Sequence, residues 1–487
     1  MEQHRPDFDV VIIGGGLSGI GAACRLQRHC PHLTYTILEA RPNFGGTWRF
    51  FKYPGLRSDS DMHSYAFPFM PWVGTASVVD GDTILDYLEA TIRTFNLAER
   101  FQFGMRVSRA NWHGAHQRWA LNVESVSDGH QRQVHCRFLL VCAGYYDYDE
   151  AFKPAFEGQE TYSGTIIHPQ FWPEDLDPDG KQIVVVGSGA TAVTMIPALA
   201  ERGARVTMVQ RSPSHIVAWP REDPLARLFH RMLPDPLAFR LIRAKNIVQQ
   251  QLVYTLATRF PDWTTRLIRR NNRAVLGNAL PVDPHFTPAY PPWEQRLCVA
   301  PDGDLFSAIR RGDVTVETGQ IERLNETGVI LEGDQHLPAD MVVTATGLKL
   351  SVLGKLQVMV DGQRVDFGQT MTYRGLAYSD VPNLISVFGY VNASWTLRAD
   401  LVCRYTCRLL NHLDANKWRQ FVPRPSEAIR ANQRPMIDNF TPGYLRRSMH
   451  LFPKQGPTAP WTNPQNFMID YLRCLHAPIA DGHLEFG

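Results

Sequence analysis

Two stretches of the chain share one pattern of apolar and polar positions. Residues 9–40 run from the continuous apolar segment "DVVII" through a glycine turn into "LSGIGAACRLQRH" and on to a second apolar segment, "TYTILEA". Residues 181–212 repeat that order with "KQIVVVGSGATAVTMIPALAERGA" and "RVTMVQRS". An uninterrupted apolar run marks a strand buried on both faces, and glycines followed by an amphipathic stretch mark its crossover helix. The pattern predicts two strand–turn–helix–strand units, each seeding a parallel sheet. Further apolar runs ending in small residues, "RFLLVCAGYY" (137–146) and "ADMVVTATG" (339–347), are expected to close a sheet or to carry the chain between units.

At roughly 150 residues per domain, 487 residues suggest about three domains, or two with an insertion. The positions of the two units predict an α/β fold of two Rossmann-like dinucleotide-binding domains, with the second inserted into the first. The first domain is expected over 1–150 and again over 346–487, which also holds the C-terminal region, and the second over 151–345. Inside the second, residues from about 221 to 275 read as a helical insertion with eleven Arg/Lys against four Asp/Glu. Such a face is either solvated or a contact for a membrane surface or a partner.

Composition narrows the class without adding a partner. Charged residues at 20% and hydrophobic residues at 44% are ordinary for a globular chain. A net charge of +2 gives no reason to expect nucleic acid. The eight cysteines are scattered without zinc or dithiol spacing, which predicts reduced structural thiols and no metal. The N-terminus enters a strand without a secretory signal, and no apolar run reaches the roughly 18–20 residues that span a bilayer. A cytoplasmic location is expected.

The glycine loops carry the candidate chemistry. "GGGLSG" supplies Gly14-x-Gly16-x-x-Gly19, in which Gly14 makes the tight turn and Gly16 lets the backbone approach a pyrophosphate. The helix that follows offers its N-terminal amides and dipole to the phosphates. Glu39 ends the next strand 20 residues past Gly19 and can accept hydrogen bonds from a ribose diol. These residues alone fit either FAD or NAD. In the second loop, "GSGATA" supplies Gly187-x-Gly189-x-x-Ala192, and the carboxylate after the next strand is replaced by Gln210, Arg211 and Ser212. An acidic group would repel a ribose 2′-phosphate, whereas arginine forms charge-assisted bonds to it, so this domain is expected to prefer NADPH.

Two dinucleotide sites suggest a hydride passing from nicotinamide to a second acceptor. A flavin disulfide reductase would need a close cysteine pair after its first unit, and residues 41–66 contain no cysteine. Three stretches then bear on what receives the electrons: "GGTWRFFKYPGLRSD" (45–59), "YSGTIIHPQFWP" (162–173) and "YPPWEQRLC" (290–298). The first, with Gly45, Gly46, Trp48, Tyr53, Pro54, Gly55 and Asp59, resembles a fingerprint of flavin-dependent Baeyer–Villiger monooxygenases. The second, Tyr162-x-Gly164-x-x-x-His168-x-x-x-Trp172-Pro173, resembles the signature of the type I members of that family. It departs in having Tyr for Phe at its first position. "NASWTLRADL" (392–401) adds to a likeness that is greatest to the ethionamide-activating branch.

The resemblance implies FAD in the first domain, NADPH in the second, and oxidation of ketones to esters or lactones through a flavin C4a-peroxide, with sulfides oxidised as well. The alternative is an N- or S-oxygenating flavin monooxygenase acting through the protonated hydroperoxide. Carried over by motif position, Gly14, Gly16, Ser18, Glu39, Gly46, Thr47, Trp48, Asp59 and Tyr65 are expected at FAD. Gly187, Ser188, Gly189, Thr191, Gln210 and Arg211 are expected at NADPH. Arg296 takes the family's catalytic arginine position, preceded by Gln295 where many relatives have Lys, and is expected to pair with Asp59. His168 and Trp172 are expected to act in a hinge between the domains, controlling movement rather than touching substrate. The small-molecule partners implied are a ketone or sulfide and O2.

Overall fold

The computed structural model describes residues 6–438 and 441–487. The first apolar run forms the strand Phe8–Ile13, which pairs in parallel with Tyr35–Glu39 on one side and Gln131–Val141 on the other. Val10, Val11 and Ile12 are fully buried because helices and a further layer cover both faces of this strand. The antiparallel strands Met105–His113 and Arg118–Ser125 extend the sheet. Gln357–Val360 and Leu384–Ser386 then join it from late in the chain. Among the described residues this sheet has nine strands.

A second sheet of five strands, all parallel, has Gln182–Val186 at its centre, flanked by Arg205–Gln210 and Met341–Thr344. Val314–Thr318 and Thr165–Ile167 form its edges. The chain therefore leaves the first sheet after Val141, builds the second, and returns after Thr344. This is the two-domain α/β architecture expected from the repeated pattern. The outgoing passage, Tyr146–Ala151, and the returning one, Leu348–Leu350, pair antiparallel as a short ribbon between the sheets.

The segment 162–173 departs from the hinge expectation. It is not a free connector, because Thr165–Ile167 is already an edge strand of the second sheet. The Tyr162 hydroxyl donates to the Ala339 carbonyl at 2.9 Å, and its ring lies over Gly164, where a Cβ would sit 2.3 Å from the Tyr162 oxygen. Only glycine fits beneath that ring. Trp172 is buried in the core of the second domain with Ile167 and Ile183. Burying a large apolar side chain contributes about 2–3 kcal/mol, so the indole anchors this segment.

His168 and Gln170 brace the two passages instead. His168 Nδ1 accepts from the Gln170 amide at 3.1 Å, which leaves the proton on Nε2, 3.1 Å from the Gly347 carbonyl. The Gln170 side chain donates to the Asp147 carbonyl at 2.8 Å. Burial favours the neutral imidazole and lowers the His168 pKa, an effect that the Gly347 carbonyl partly opposes and Lys153 reinforces.

The helical stretch forms as three helices, Pro224–Met232, Asp235–Arg259 and Pro261–Leu276, each with proline in its first turn. Arg243 fastens the middle one to the first domain by donating to the carbonyls of His63, Ser64 and Ala66 at 2.7–2.9 Å. Among the described residues no helix is long and apolar enough to cross a membrane. The helix Trp395–Ala415 packs on the glycine-loop helix Leu17–His29, and the buried pair Arg25–Asp400 joins them at 2.7 Å.

Removing one partner of such a pair leaves a buried charge uncompensated, at a cost of roughly 3–5 kcal/mol. Asp400→Ala should lower the unfolding free energy by about that amount in denaturant titration, and a loss below about 1 kcal/mol would contradict the role assigned to the pair. For His168 the depressed pKa gives stability that is present above the ordinary histidine value of 6.5 and lost as pH falls through the lower folded value. Wild type should therefore lose stability more steeply below pH 6.5 than His168→Gln, and equal slopes would show that the imidazole is not held neutral.

Candidate active site

Between the two sheets lies a cleft of about 1130 Å³. A single drug-sized ligand fills roughly 300–1,000 Å³, so the volume suits more than one small molecule. Every site residue expected from the sequence lines this cleft except Gln210 and Trp172.

The first glycine loop faces a second glycine turn. A Cβ on Gly46, where φ is +54°, would meet the Gly16 Cα at 3.0 Å, so the two backbones approach as closely as they do because neither has a side chain. Gly45 N donates to the Gly15 carbonyl at 3.0 Å and fixes the approach. Glu39, buried at the strand end, accepts from the amides of Gly15 at 2.6 Å and Arg41 at 2.9 Å. These bonds orient the carboxylate and use two of its roughly four acceptor sites, leaving the others for a diol. The backbone gap, the open helix end and the aimed carboxylate fit a dinucleotide such as FAD.

An aromatic and hydroxyl wall continues from there. Trp48 Nε1 donates to the Tyr65 hydroxyl at 2.7 Å, Thr47 Oγ1 and the Tyr148 hydroxyl lie 2.8 Å apart, and Trp395 Nε1 donates to Ser18 Oγ at 3.0 Å. Trp395 stacks on Tyr145 with ring centroids 5.3 Å apart. Arg41 lies over the rings of Phe50 and Tyr148 at 4.4 and 4.3 Å. Burial raises the phenol pKa values of Tyr65, Tyr145 and Tyr148, which keeps these hydroxyls protonated as donors.

At the second loop, Ser188 Oγ donates to the Ser212 carbonyl at 3.0 Å and lies 2.9 Å from Ser214 Oγ. Gly189 caps the helix Ala190–Glu201, and a Cβ there would meet nothing within 4 Å, so the helix end is open to a phosphate. Thr191 and the exposed Arg211 line the same mouth. Gln210 corrects the sequence expectation. Alternate residues of a strand face opposite sides, and Gln210 turns inward, donating to the His285 carbonyl at 2.7 Å and to Thr318 Oγ1 at 2.9 Å. It holds the loop from behind and does not open on the cleft.

The lining of the cleft also carries opposite charges. Asp59 comes from the first domain and Arg296 from the second, and each acts on the other electrostatically without reaching ion-pair contact. Burial raises the Asp59 pKa, opposed by Arg296 and Arg57 and assisted by Asp304. Burial also works against the Arg296 charge, and Asp59 together with the surrounding phenols outweighs it, so the guanidinium pKa stands above its ordinary value. Arg57, whose side chain is 4% exposed, is committed to Asp304 at 2.5 Å across the domain junction. Asp59 therefore feels Arg57 as well as Arg296, but shares Arg57 with Asp304. Cys298 lies beside this group, but burial raises its thiol pKa to about 12, which makes it unreactive.

Sequence reasoning did not identify Arg41, Arg57, Asp304, the Tyr145–Tyr148 cluster or Trp395 as lining or bracing groups. The run "GYYDYDE" after a strand end was the one local signal for the tyrosines. The Arg57–Asp304 pair spans 247 positions and had none.

The chain is similar to known proteins over its whole length. The FAD-containing monooxygenase EthA of Mycobacterium tuberculosis (strain ATCC 25618 / H37Rv) is 46% identical over all of this chain and 98% of its own length. A solved structure of OTEMO in complex with FAD and NADP superimposes with a TM-score of 0.76 at 18% identity, covering 99% of this chain and 100% of that one. An open crystal structure of cyclohexanone monooxygenase gives 0.68 at 20% identity, over 86% of this chain and 90% of that one. The model of the FMO-like family, described as flavin-binding monooxygenase-like, matches residues 8–365, a span that takes in both glycine loops, the 162–173 segment and Arg296. By that match and by its full-length relatives, this chain belongs to the flavin-binding monooxygenase-like family.

Proposed function

We propose that the protein is an NADPH- and O2-dependent Baeyer–Villiger monooxygenase that converts ketones to esters or lactones and also oxidises sulfides. The observation that carries this reading is the arginine and carboxylate that line one cleft with both dinucleotide loops and act on each other there. In the overall reaction one oxygen atom enters between the carbonyl carbon and the migrating carbon, the other leaves as water, and NADPH is oxidised. The printed names of the relatives, an FAD-containing monooxygenase and a cyclohexanone monooxygenase, support the same class. The protein is proposed to work in the cytoplasm.

The roles follow from chemistry at each position. Gly14, Gly16 and the amide end of Leu17–His29 would hold the FAD pyrophosphate, Glu39 its ribose, and Ser18, Gly46, Thr47, Trp48 and Tyr65 would line its remaining length. Gly187, Ser188, Gly189 and Thr191 would hold the NADPH phosphates, with Arg211 on the 2′-phosphate. Bound FAD, reduced by NADPH, supplies the electrons that activate dioxygen. Arg296 would contribute a permanent positive charge beside the flavin, where negative charge on oxygen needs a counter-charge. Asp59 orients the guanidinium without closing on it, so the arginine keeps the freedom to face nicotinamide and substrate in turn. Phe50, Tyr145, Tyr146, Tyr148 and Trp395 line the cleft and would limit the access of water to the bound flavin. His168 has both ring nitrogens committed to backbone groups and serves as a positioning residue. Trp172 anchors its segment from the core and does not reach the reacting atoms.

Removing a preorganised charge of this kind lowers turnover by roughly 100-fold or more. Arg296→Ala should keep NADPH-driven bleaching of the flavin, lose ester formation by about that factor, and release the consumed reducing equivalents as hydrogen peroxide. Coupled ester formation at the wild-type rate would remove Arg296 from the mechanism. Loss of a charge-assisted contact to phosphate weakens binding by roughly 10- to 100-fold, so Arg211→Ala should raise KM for NADPH to that extent and leave KM for NADH nearly unchanged. Equal effects on both nucleotides would contradict the 2′-phosphate assignment.

A further inference from the structure

Exposed large apolar side chains are concentrated in one part of this protein. Of the 21 such residues among those described, twelve lie between Trp219 and Leu267, on or beside the helical insertion. They are arranged by helical spacing. On Pro224–Met232, Leu225, Leu228 and Met232 recur at i, i+3 and i+7, and Met232 is 69% exposed. On Asp235–Arg259, Leu241, Val248 and Leu252 fall on one side, while Ala238, Ile242 and Asn246 face the protein. On Pro261–Leu276, Trp263 and Leu267 lie opposite the buried Ile268 and Asn272. Each helix therefore has a second apolar stripe in addition to the one it packs with.

The charges on these helices are of one sign. The four carboxylates of the stretch, Glu222, Asp223, Asp235 and Asp262, sit just before a helix or in its first turn, where the helix dipole favours them. Beyond those first turns the helices carry arginine and lysine without a carboxylate. Arg231, Arg240, Arg259, Arg266 and Arg270 make no ion pair among the described residues. Arg266 and Arg270 share the helix face of Trp263 and Leu267 by their i+3 and i+7 spacing from Trp263.

We infer that the outer face of this insertion docks on the surface of an anionic lipid bilayer. Aliphatic side chains and an indole enter the boundary between headgroups and acyl chains, and the unpaired guanidinium groups meet lipid phosphates at the headgroup level. Each such cation near an anionic leaflet strengthens the attachment, and buried apolar area adds to it. A two-fold contact with a second copy fits less well, because it would bring the same unpaired arginines together on both sides. The helices span no membrane, so the attachment is peripheral and reversible. On the side away from its exposed stripe the middle helix reaches the active-site region, since the Tyr254 ring packs 5.5 Å from Trp293, three residues before Arg296. This inference does not depend on the proposed reaction.

Vesicle flotation with the FAD-loaded protein tests it, using phosphatidylcholine alone and phosphatidylcholine mixed in equal parts with phosphatidylglycerol. Wild type should float with the mixed vesicles, remain behind with the neutral ones, and release as salt is raised. The variant Arg266→Glu/Arg270→Glu should bind the mixed vesicles roughly tenfold more weakly or worse. Met232→Ser/Trp263→Ser/Leu267→Ser should also lose flotation, with flavin absorbance and thermal unfolding kept as wild type to show an intact fold. Equal flotation with both vesicle types, or none with either, would overturn the inference. So would vesicle binding that survives both variants, or a wild-type dimer that the serine variant dissociates without any vesicle binding by wild type.

Discussion

A carboxylate on one domain and a guanidinium on the other attract one another across a cleft without closing into a contact pair, and the rest of the site is organised around that condition. Two features maintain it. Arg57 is paired with Asp304, so the cation nearest in sequence to Asp59 moderates its charge while committed to another carboxylate. Burial works against both charges, and in a cleft that water only partly reaches the Asp59–Arg296 attraction is stronger than it would be in bulk water. A guanidinium held in this way stays charged in a drying site and keeps room to move.

The fold brings those two side chains together by joining the domains twice. The outgoing and returning passages pair with each other as a ribbon, and His168 and Gln170 hold that ribbon from the second domain. Arg57–Asp304 and the Arg243 fan of backbone contacts add two further ties between the parts of the chain. Backbone hydrogen bonds from Ser77 to Arg221 and from Thr441 to Glu294 tie the same parts together. The apolar anchor at Trp172 makes the second-domain side of the brace stiff.

Much of this was legible in the sequence because it depends on local spacing. Buried parallel strands gave continuous apolar runs, and both glycine loops lie where those runs end. The Gly164 position is explained by the ring of Tyr162 two residues away, which is also a local fact. What escaped notice was set by strand pleat and by long-range pairing. Gln210 and Arg211 are adjacent, and motif position assigned them to the same ligand. The pleat sends one inward to His285 and Thr318 and the other to the cleft. Arg57 and Asp304 lie in separate domains, and Trp395 reaches Ser18 over 377 positions, so neither contact has a local signal. Trp172 belongs to a motif expected to act in a hinge, and its ring is an anchor in the core of the second domain.

The central claim is that Asp59 acts through Arg296 and not as an independent group. A double-mutant cycle on the rate of ester formation, with Asp59→Asn, Arg296→Lys and the pair combined, tests it most directly. Interacting groups show coupling of roughly 0.5–3 kcal/mol, and this account predicts more than about 1 kcal/mol, with the double variant little worse than Arg296→Lys alone. Additive losses, with coupling near zero, would show that the two charges work separately and would contradict the account.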